Sequence, residues 1–232
     1  MLSAIAIVPS APVLVPELAG AAAAEVADLT AAVLEAAALL PSRWIVVGTG
    51  AADGDLGPDN AGSLAGFGVD VRVGLSPHAV SGRAAEPGEL PLCALLAGWV
   101  RGQARPDASV QVRVYAADHT ADVALARGRQ LRAEVGRLPD PIGVLVVADG
   151  ANTLTPAAPG GYDPSNAEAQ LFLDDALANG DAAALARLPE PILGRVAFQV
   201  LAGLTEPGPR SAKELYRGAP YGVGYFAGAW QL

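Results

Sequence analysis

Short apolar runs alternate with longer segments of helical periodicity along the chain. The three most apolar runs are Ala4–Val8, Trp44–Val47 and Ile142–Val147, and none shows the polar alternation of a half-exposed strand. Strands that are covered on both faces lose that alternation, so these runs predict buried, mostly parallel strands. A segment with helical spacing follows each run, which is typical of an α/β layered domain.

The remaining elements are predicted from caps, breakers and alternation. Thr120 and Asp181 each precede a helical segment, and Ser165-x-x-Glu168 has the spacing of a capping box. We expect exposed loops over Gly48–Gly68 and Pro77–Gly88. Further strands are predicted over Val69–Val73, Val110–Tyr115, Ser211–Tyr216 and Tyr221–Trp230. Helices are predicted over Glu17–Leu40 with a break at Gly20, Leu90–Val100, Thr120–Leu138, Ser165–Ala178, Asp181–Leu188 and Ile192–Leu204.

No linker and no internal repeat divides the chain, so we expect one domain over residues 1–232. Its predicted architecture is α/β, with a central, mostly parallel sheet and helices on both faces. In such sheets, ligands bind beyond the carboxyl ends of the strands. The loops Pro9–Pro16, Gly48–Gly54 and Ala148–Tyr162 leave those ends. If the three strands are neighbours, the loops line one crevice, which is the expected site.

Composition narrows the partners and the chemistry. The chain has 15 basic and 24 acidic residues and a formal net charge of −9, which argues against nucleic acid as a partner. The N-terminal apolar run is too short to span a bilayer and has no basic residues before it, so we expect no membrane partner and a cytoplasmic location. Two His residues and the single Cys93, expected to be buried, exclude a three-His or Cys-rich zinc site within this chain.

Two common kinds of catalytic or cofactor site are poorly supported. Gly48–Gly50 follows a strand, but Asp53 stands where the dinucleotide fingerprint needs its third glycine. Ser10 also follows a strand, yet no Gly-x-Ser-x-Gly turn surrounds it, and its only candidate bases are His78 and His119.

A carboxylate site is the third kind, and it has more candidates. Loop aspartates usually form turns. Asp149 directly follows the central apolar run and is therefore the first candidate for a ligand-binding or catalytic role. The candidates in predicted loops are Asp53, Asp55, Asp59, Asp149 and Asp163.

Four segments, in this order, resemble one known family over nearly the whole chain. They read AIVPSAPVLVPEL (6–18), WIVVGTGA (44–51), VVADGANTLTPAAPGGYDP (146–164) and YRGAPYGVGY (216–225). They are similar to the class III extradiol ring-cleavage dioxygenases, whose superfamily also contains Memo-type proteins. The matching family patterns are Pro-His-Pro-Pro, Ser-Pro-His, Gly-Asp-Leu-Ser-His with Gly-Tyr-Asp-Pro, and Gly-Pro-(Phe/Tyr)-Gly-Val-Gly-Tyr. The resemblance implies a single extradiol dioxygenase-like α/β domain.

The resemblance also implies a site that this sequence does not complete. Family members hold non-haem Fe(II) with two His and one carboxylate, and a further His acts in acid/base steps. Ser10 and Ala51 occupy the two His ligand positions, and Asn152 occupies that of the acid/base His. The region of the acidic ligand offers only Leu193–Gly194, whereas Asp149 is retained. We therefore expect no metal and no cofactor, unless His78 or His119 replaces a lost ligand.

Three hypotheses follow. The leading one is an extradiol dioxygenase-like protein that lacks the iron ligands and binds a small neutral polar molecule, or a protein partner, without catalysis. The second is an active enzyme of altered chemistry, such as a divergent ring-cleavage dioxygenase or a hydrolase, that uses Asp149 as a base or binds a hard cation on loop carboxylates. The expected crevice is lined by Ser10, Thr49, Gly50, Ala51, Asp149, Asn152 and Tyr162.

The third hypothesis is a structural or interaction protein with no ligand in the crevice. The resemblance to the family also implies homo-oligomers. The aromatic residues near the C-terminus then belong either to the core, which we favour, or to a dimer interface. These residues are Tyr221, Tyr225, Phe226 and Trp230.

Overall fold

A computed structural model describes residues 1–81 and 89–232 of the chain. The strands in this part are β1 (Leu2–Val8), β2 (Arg43–Gly50), β3 (Gly54–Leu56), β4 (Ala61–Ser63), β5 (Arg72–Gly74), β6 (Ser109–Ala116), β7 (Ile142–Val147), β8 (Ser211–Gly218) and β9 (Tyr225–Gln231). The α-helices are α1 (Pro16–Ala19), α2 (Ala27–Ala38), α3 (Pro77–Ser81), α4 (Leu92–Ala104), α5 (Ala121–Gly136), α6 (Asn166–Asn179), α7 (Ala182–Leu185) and α8 (Arg195–Thr205).

The described strands form one large mixed sheet and one small two-stranded sheet. Seven strands pair in the order β3-β6-β2-β7-β1-β9-β8, and β4 pairs with β5 separately. The four neighbouring strands β6, β2, β7 and β1 run parallel. At the two edges, β3, β9 and β8 each pair antiparallel with their neighbours. The predicted fold, a single α/β domain with a mostly parallel sheet between helices, is confirmed.

Strand β7 lies at the middle of the parallel group, between β1 and β2. All six of its residues are buried, as its unbroken apolar sequence predicts. The sheet separates two cores. Helices α2 and α4 cover one face, and α5 to α8 cover the other. Because β1, β2 and β7 are neighbours, their three carboxyl-terminal loops start at the same edge of the sheet.

Helices α5 and α8 approach each other through glycine. A Cβ atom on Gly128 of α5 would lie 2.1 Å from the carbonyl oxygen of Val200, and one on Gly203 of α8 would lie 2.2 Å from that of Leu125. Neither distance can be accommodated while the helices keep their separation. The two glycines therefore set how closely this helix pair packs.

Several predicted boundaries are wrong for local physical reasons. In the helix predicted over Glu17–Leu40, the expected break at Gly20 is confirmed, but a 3₁₀ segment over Gly20–Ala24 follows it and the second helix covers only Ala27–Ala38. The loop predicted over Gly48–Gly68 contains β3 and β4, and β5 pairs with β4 rather than with the main sheet. The last predicted helix begins at Arg195, after a turn over residues 193–194.

The loop predicted over Pro77–Gly88 begins with the short helix α3. Its later part, residues 82–88, lies outside the described residues.

Two of the three predicted helix caps are formed. The Thr120 hydroxyl accepts from the Val123 amide at 3.4 Å, and the Asp181 carboxylate accepts from the Ala184 amide at 2.9 Å. The capping box at Ser165 is wrong, because the Ser165 hydroxyl instead donates to Asp163 at 2.6 Å. A preceding acidic residue thus competes successfully for the hydroxyl group.

The aromatic residues near the C-terminus pack mainly into the core, which is the favoured alternative. Tyr225, Phe226 and Trp230 are buried, and the Trp230 indole donates to the Leu177 carbonyl at 2.8 Å. Tyr221 is only partly buried and donates through its hydroxyl to Glu25 at 3.0 Å. Across the described part of the chain, no helix is both long enough and apolar enough to cross a bilayer.

We predict that Gly128→Ala lowers the free energy of unfolding by at least about 2 kcal/mol, because the added methyl must push α5 away from α8. Gly102→Ala is the matched control, since Gly102 lies exposed in α4 with open space at its Cβ position. This control should stabilise the protein by about 0.5–1 kcal/mol through helix propensity. Urea unfolding measures both changes, and an equal effect of the two substitutions would contradict the close crossing.

Candidate functional site

The candidate site lies at the carboxyl ends of β1, β7 and β2. The amide of Ser10, just after β1, donates a hydrogen bond to Oδ1 of Asp149, just after β7, at 2.7 Å. The main-chain oxygen of Asp149 accepts from the Gly194 amide at 2.8 Å, which joins the loop to the start of α8. Two predicted site residues are therefore in direct contact, and Asp149 connects three segments that are distant in sequence.

The environment of Asp149 changes its acidity. Burial raises the pKa of its carboxyl group to about 7, although the hydrogen bond from Ser10 opposes the change. On the β9 side, burial raises the pKa of the Tyr225 phenol, and negative charge on Asp149 raises it further. Near neutral pH, both forms of Asp149 are thus populated: the protonated carboxyl group, which can donate a proton, and the carboxylate, which can accept one.

The loop after Asp149 folds on itself. The Asn152 carbonyl accepts from the Gly160 amide at 3.0 Å, and a Cβ on Gly160 would lie 2.3 Å from the Asn152 side-chain oxygen. The Asn152 amide group thus packs on the turn of its own loop. Tyr162, at the end of this turn, is 55% exposed. Tyr162 therefore faces solvent, and Asn152 makes no hydrogen bond to Ser10 or Asp149 within residues 1–81 and 89–232.

The predicted site residues at the end of β2 pair with β6, whereas the pairing of β2 with β7 ends earlier, at Val47. Thr49 and Gly50 are the last residues of β2 and pair with Tyr115 and Ala116. Ala51 follows and is exposed.

Near its carboxyl end, β2 packs closely against Cys93 of α4. A Cβ on Gly48 would lie 2.7 Å from the sulfur of Cys93. Burial of Cys93, as predicted, raises the pKa of its thiol to about 11, so this cysteine is an inert packing residue at neutral pH.

Asp53 is the centre of a separate polar cluster beside β6. Its carboxylate accepts from the Ala116 amide at 2.8 Å and from Arg127 at 2.8 Å, and it lies 2.7 Å from Nε2 of His119. The hydrogen bond from Ala116 contributes most to lowering the pKa of Asp53, and His119 and Arg127 lower it further. His119 therefore contacts the β2 loop but not Asp149, whereas His78 is exposed on α3.

The other candidate carboxylates have local roles. Asp55 pairs with Arg113 at 3.0 Å in the antiparallel edge of the sheet. Asp163 accepts two hydrogen bonds from Ser165, one from its hydroxyl and one from its amide, and both lower the pKa of Asp163. Asp59 is exposed in a turn. Asp149 is thus separated from these aspartates, each of which belongs to a different turn or ion pair.

The residues present do not fit the iron site that the resemblance implies. Within residues 1–81 and 89–232, no three or more His, Cys, Asp or Glu side chains lie together as a metal-binding group. An acidic side chain at position 194 is also excluded, because a Cβ on Gly194 would lie 2.5 Å from that of Ala148. Position 194, just before α8, therefore has no room for a carboxylate ligand.

Gln170, which the sequence patterns did not predict, holds the site loops together. Its side-chain oxygen accepts from the Ala151 amide at 2.8 Å, and its nitrogen donates to Asp174 at 2.8 Å. A Cβ on either Gly150 or Gly224 would lie 2.0 Å from the Gln170 oxygen. A partial signal was present in the sequence, since a glutamine on the buried face of α6 needs partners that a helix cannot supply.

Burial changes the acidity of the Gln170 partner as well. It raises the pKa of Asp174 to about 6, while the hydrogen bond from Gln170 opposes that change. Gln170 and Asp174 are both buried side chains of α6, so each depends on the other for a polar contact.

A second polar cleft, of about 320 Å³, lies between β3 and α5. Arg113 and Arg127 line it together with Asp53, Asp55 and Glu134. Its two positive charges are therefore already matched by neighbouring carboxylates. None of the predicted crevice residues lines this cleft, and no sequence pattern indicated it, because its walls come from segments far apart in the chain.

Comparison with known proteins adds evidence about the fold. No family model matches the chain, and no curated protein gives a significant match. The chain is similar to a crystal structure of the uncharacterized protein JW3007 from Escherichia coli K12. That match has a TM-score of 0.60 at 11% identity and covers 98% of this chain and 99% of the other. A likeness at that identity supports the α/β fold alone.

We predict that stability depends on pH through Asp149. Its folded pKa of about 7 lies above its ordinary value of 3.8, so the folded state holds a proton that the unfolded state has lost. The contribution of Asp149 to the free energy of unfolding is therefore most favourable below about pH 4. As pH rises from there to about pH 7, it falls by up to about 1.4 kcal/mol per pH unit. Asp149→Asn removes this component and should gain stability relative to the wild type as pH rises.

The matched control for that prediction is Ser10→Ala, which keeps the backbone amide that donates to Asp149. Urea unfolding of both variants at about pH 5 and pH 8 is the measurement. An unchanged difference in stability between Asp149→Asn and the wild type at the two pH values would mean that the folded pKa is ordinary.

We further predict that Gln170→Ala lowers the free energy of unfolding by about 2–4 kcal/mol, because it leaves the Ala151 amide and the Asp174 carboxyl without a partner. Gln130→Ala is the control, since Gln130 makes one exposed contact with Glu134 at 3.0 Å. The control should change stability by less than about 0.5 kcal/mol. Thermal or urea unfolding compares the two, and similar losses would remove Gln170 from its central role.

Proposed function

We propose that this protein is an extradiol dioxygenase-like fold that binds a small neutral polar molecule, without iron, at the crevice around Asp149. The observation that supports it most is the hydrogen bond between the Ser10 amide and Asp149. It joins two of the segments that resemble the family, at the place where the family has its first His ligand. The contacts between loops are present while the ligand side chains are not.

The proposed ligand class follows from the chemistry of the crevice. Asp149 is the one acidic side chain among the seven expected crevice residues, and with a pKa of about 7 it can both donate and accept a hydrogen bond near neutral pH. Ser10, whose amide contacts Asp149, has a small, neutral and polar side chain. Such a set favours hydroxyl groups over charged groups, so a dihydroxylated compound is a suitable probe.

The test uses catechol as that probe, because it is small, neutral and dihydroxylated. Protein prepared anaerobically with Fe(II), and then freed of loose metal, should contain far less than one iron per chain and should not open the catechol ring. In amide-resolved NMR, catechol should shift the signals of Ser10, Asp149 and Asn152. Asp149→Ala should weaken this binding by about tenfold, which is the loss of one good hydrogen bond.

Asp59→Ala is the matched control, since Asp59 is an exposed loop aspartate outside the crevice. It should bind catechol as the wild type does. Stoichiometric iron with ring opening would overturn the proposal, because the protein would then be an active dioxygenase. Catechol shifts that map elsewhere, or no shifts, would overturn it because the crevice would then not bind such molecules.

A second candidate function is catalysis in which Asp149 acts as a general base. The observation that favours it is the raised pKa, since a base is most effective when its pKa is near the working pH. A hard cation held by Asp149 would be one form of this chemistry. Thermal unfolding with Mg²⁺, Mn²⁺, Ca²⁺, Zn²⁺ or Fe(II) distinguishes it: one cation should stabilise the wild type but not Asp149→Asn.

A further inference from the structure

A cavity of about 490 Å³ lies at the opposite end of the parallel strands from Asp149. It is bordered by the end of α2, the beginnings of β1 and β7, and the end of β9. The apolar residues of its lining that are open to solvent are Ala38, Leu39, Pro41, Pro141 and Leu232. This volume is within the usual range for small-molecule pockets. None of the predicted crevice residues lines this cavity.

Arg105 brings the one charged side chain to this lining. Its Nε atom is buried and has no hydrogen-bond partner within residues 1–81 and 89–232. In the same part of the chain, no carboxylate forms an ion pair with this guanidinium. The lining therefore combines an apolar surface with one positive charge that no side chain neutralises.

Arg105 lies at the C-terminal end of α4, where the helix dipole stabilises its positive charge only in part. A cation at a helix C-terminus is favoured by the helix dipole. Arg101, one turn earlier, is also near this end, and it donates to the carbonyl groups of Gly74 and Pro106. Two nitrogen atoms of Arg101 thus donate to the protein, whereas Arg105 keeps a buried N–H group without an acceptor. Burial of an unpaired donor is costly, and the Arg105 side chain as a whole is only half-buried, so another part of its guanidinium remains open to a ligand.

We propose that this cavity binds a small organic carboxylate with an apolar body, and that its carboxylate pairs with Arg105. A guanidinium presents two parallel N–H groups that match the two oxygens of a carboxylate. The apolar walls offer burial to a short chain or ring. A phosphate ester would bring a second negative charge that the lining does not neutralise. A neutral ligand would leave the charge of Arg105 unpaired.

The test uses octanoate as the probe and octanamide as its neutral counterpart, with the full-length protein. Binding is followed by the NMR amide signals of the lining residues Ala38 and Leu39 and by calorimetry. Octanoate should shift these signals, and octanamide should bind at least tenfold more weakly. Arg105→Gln should weaken octanoate binding at least tenfold, and Arg105→Lys should weaken it less, since it keeps the charge and loses the paired N–H geometry.

Two control variants separate this site from other effects. Arg137→Gln removes a charge at an exposed position after α5 and should leave octanoate binding unchanged. Asp149→Asn should also leave it unchanged, because Asp149 is at the other end of the strands. Equal affinity for octanoate and octanamide would overturn the proposal. So would a change of less than twofold in Arg105→Gln, or no octanoate binding at millimolar concentration.

Discussion

Strand β7 has helices over both faces and a strand on each side, and the burial of its six residues fixes that position. Its backbone pairs with β1 on one side and β2 on the other. The residue that follows β7 must then leave the sheet between the first residues after β1 and β2. Asp149 therefore reaches the Ser10 amide because of where β7 packs, and the site inherits its geometry from the core.

The polar side chains just beyond the carboxyl ends of the strands are held by residues that are distant in sequence. The Ser10 amide holds Asp149, and Gln170 fixes the loop that contains Gly150. At the neighbouring strand, Ala116, His119 and Arg127 hold Asp53. The two aspartates are therefore in different electrostatic environments. Asp53 is more exposed, accepts from the Ala116 amide and from Arg127, and has a lowered pKa, whereas Asp149 is buried with one amide donor and has a raised pKa.

Local sequence patterns predicted the features that such patterns determine. An unbroken apolar run located β7 at its observed residues, and side-chain oxygens before helical segments located the caps at Thr120 and Asp181. Features that depend on tertiary contacts were not predictable in this way. Gln170 acts through glycines on two other segments, and the hydroxyl of Ser165 was taken by Asp163. The environment of Arg105 likewise depends on segments that meet only in the folded chain.

The Ser10 amide and the buried Asp149 carboxyl form one unit at the carboxyl edge of the sheet, and the proposed crevice depends on that unit. A pH titration by NMR can follow the Asp149 carboxyl carbon and the Ser10 amide proton in the same sample. If the two groups are coupled and Asp149 is buried, both signals change together with a midpoint of about 7. A midpoint near the ordinary value of 3.8, with a Ser10 amide signal that does not follow it, would mean that no such unit exists.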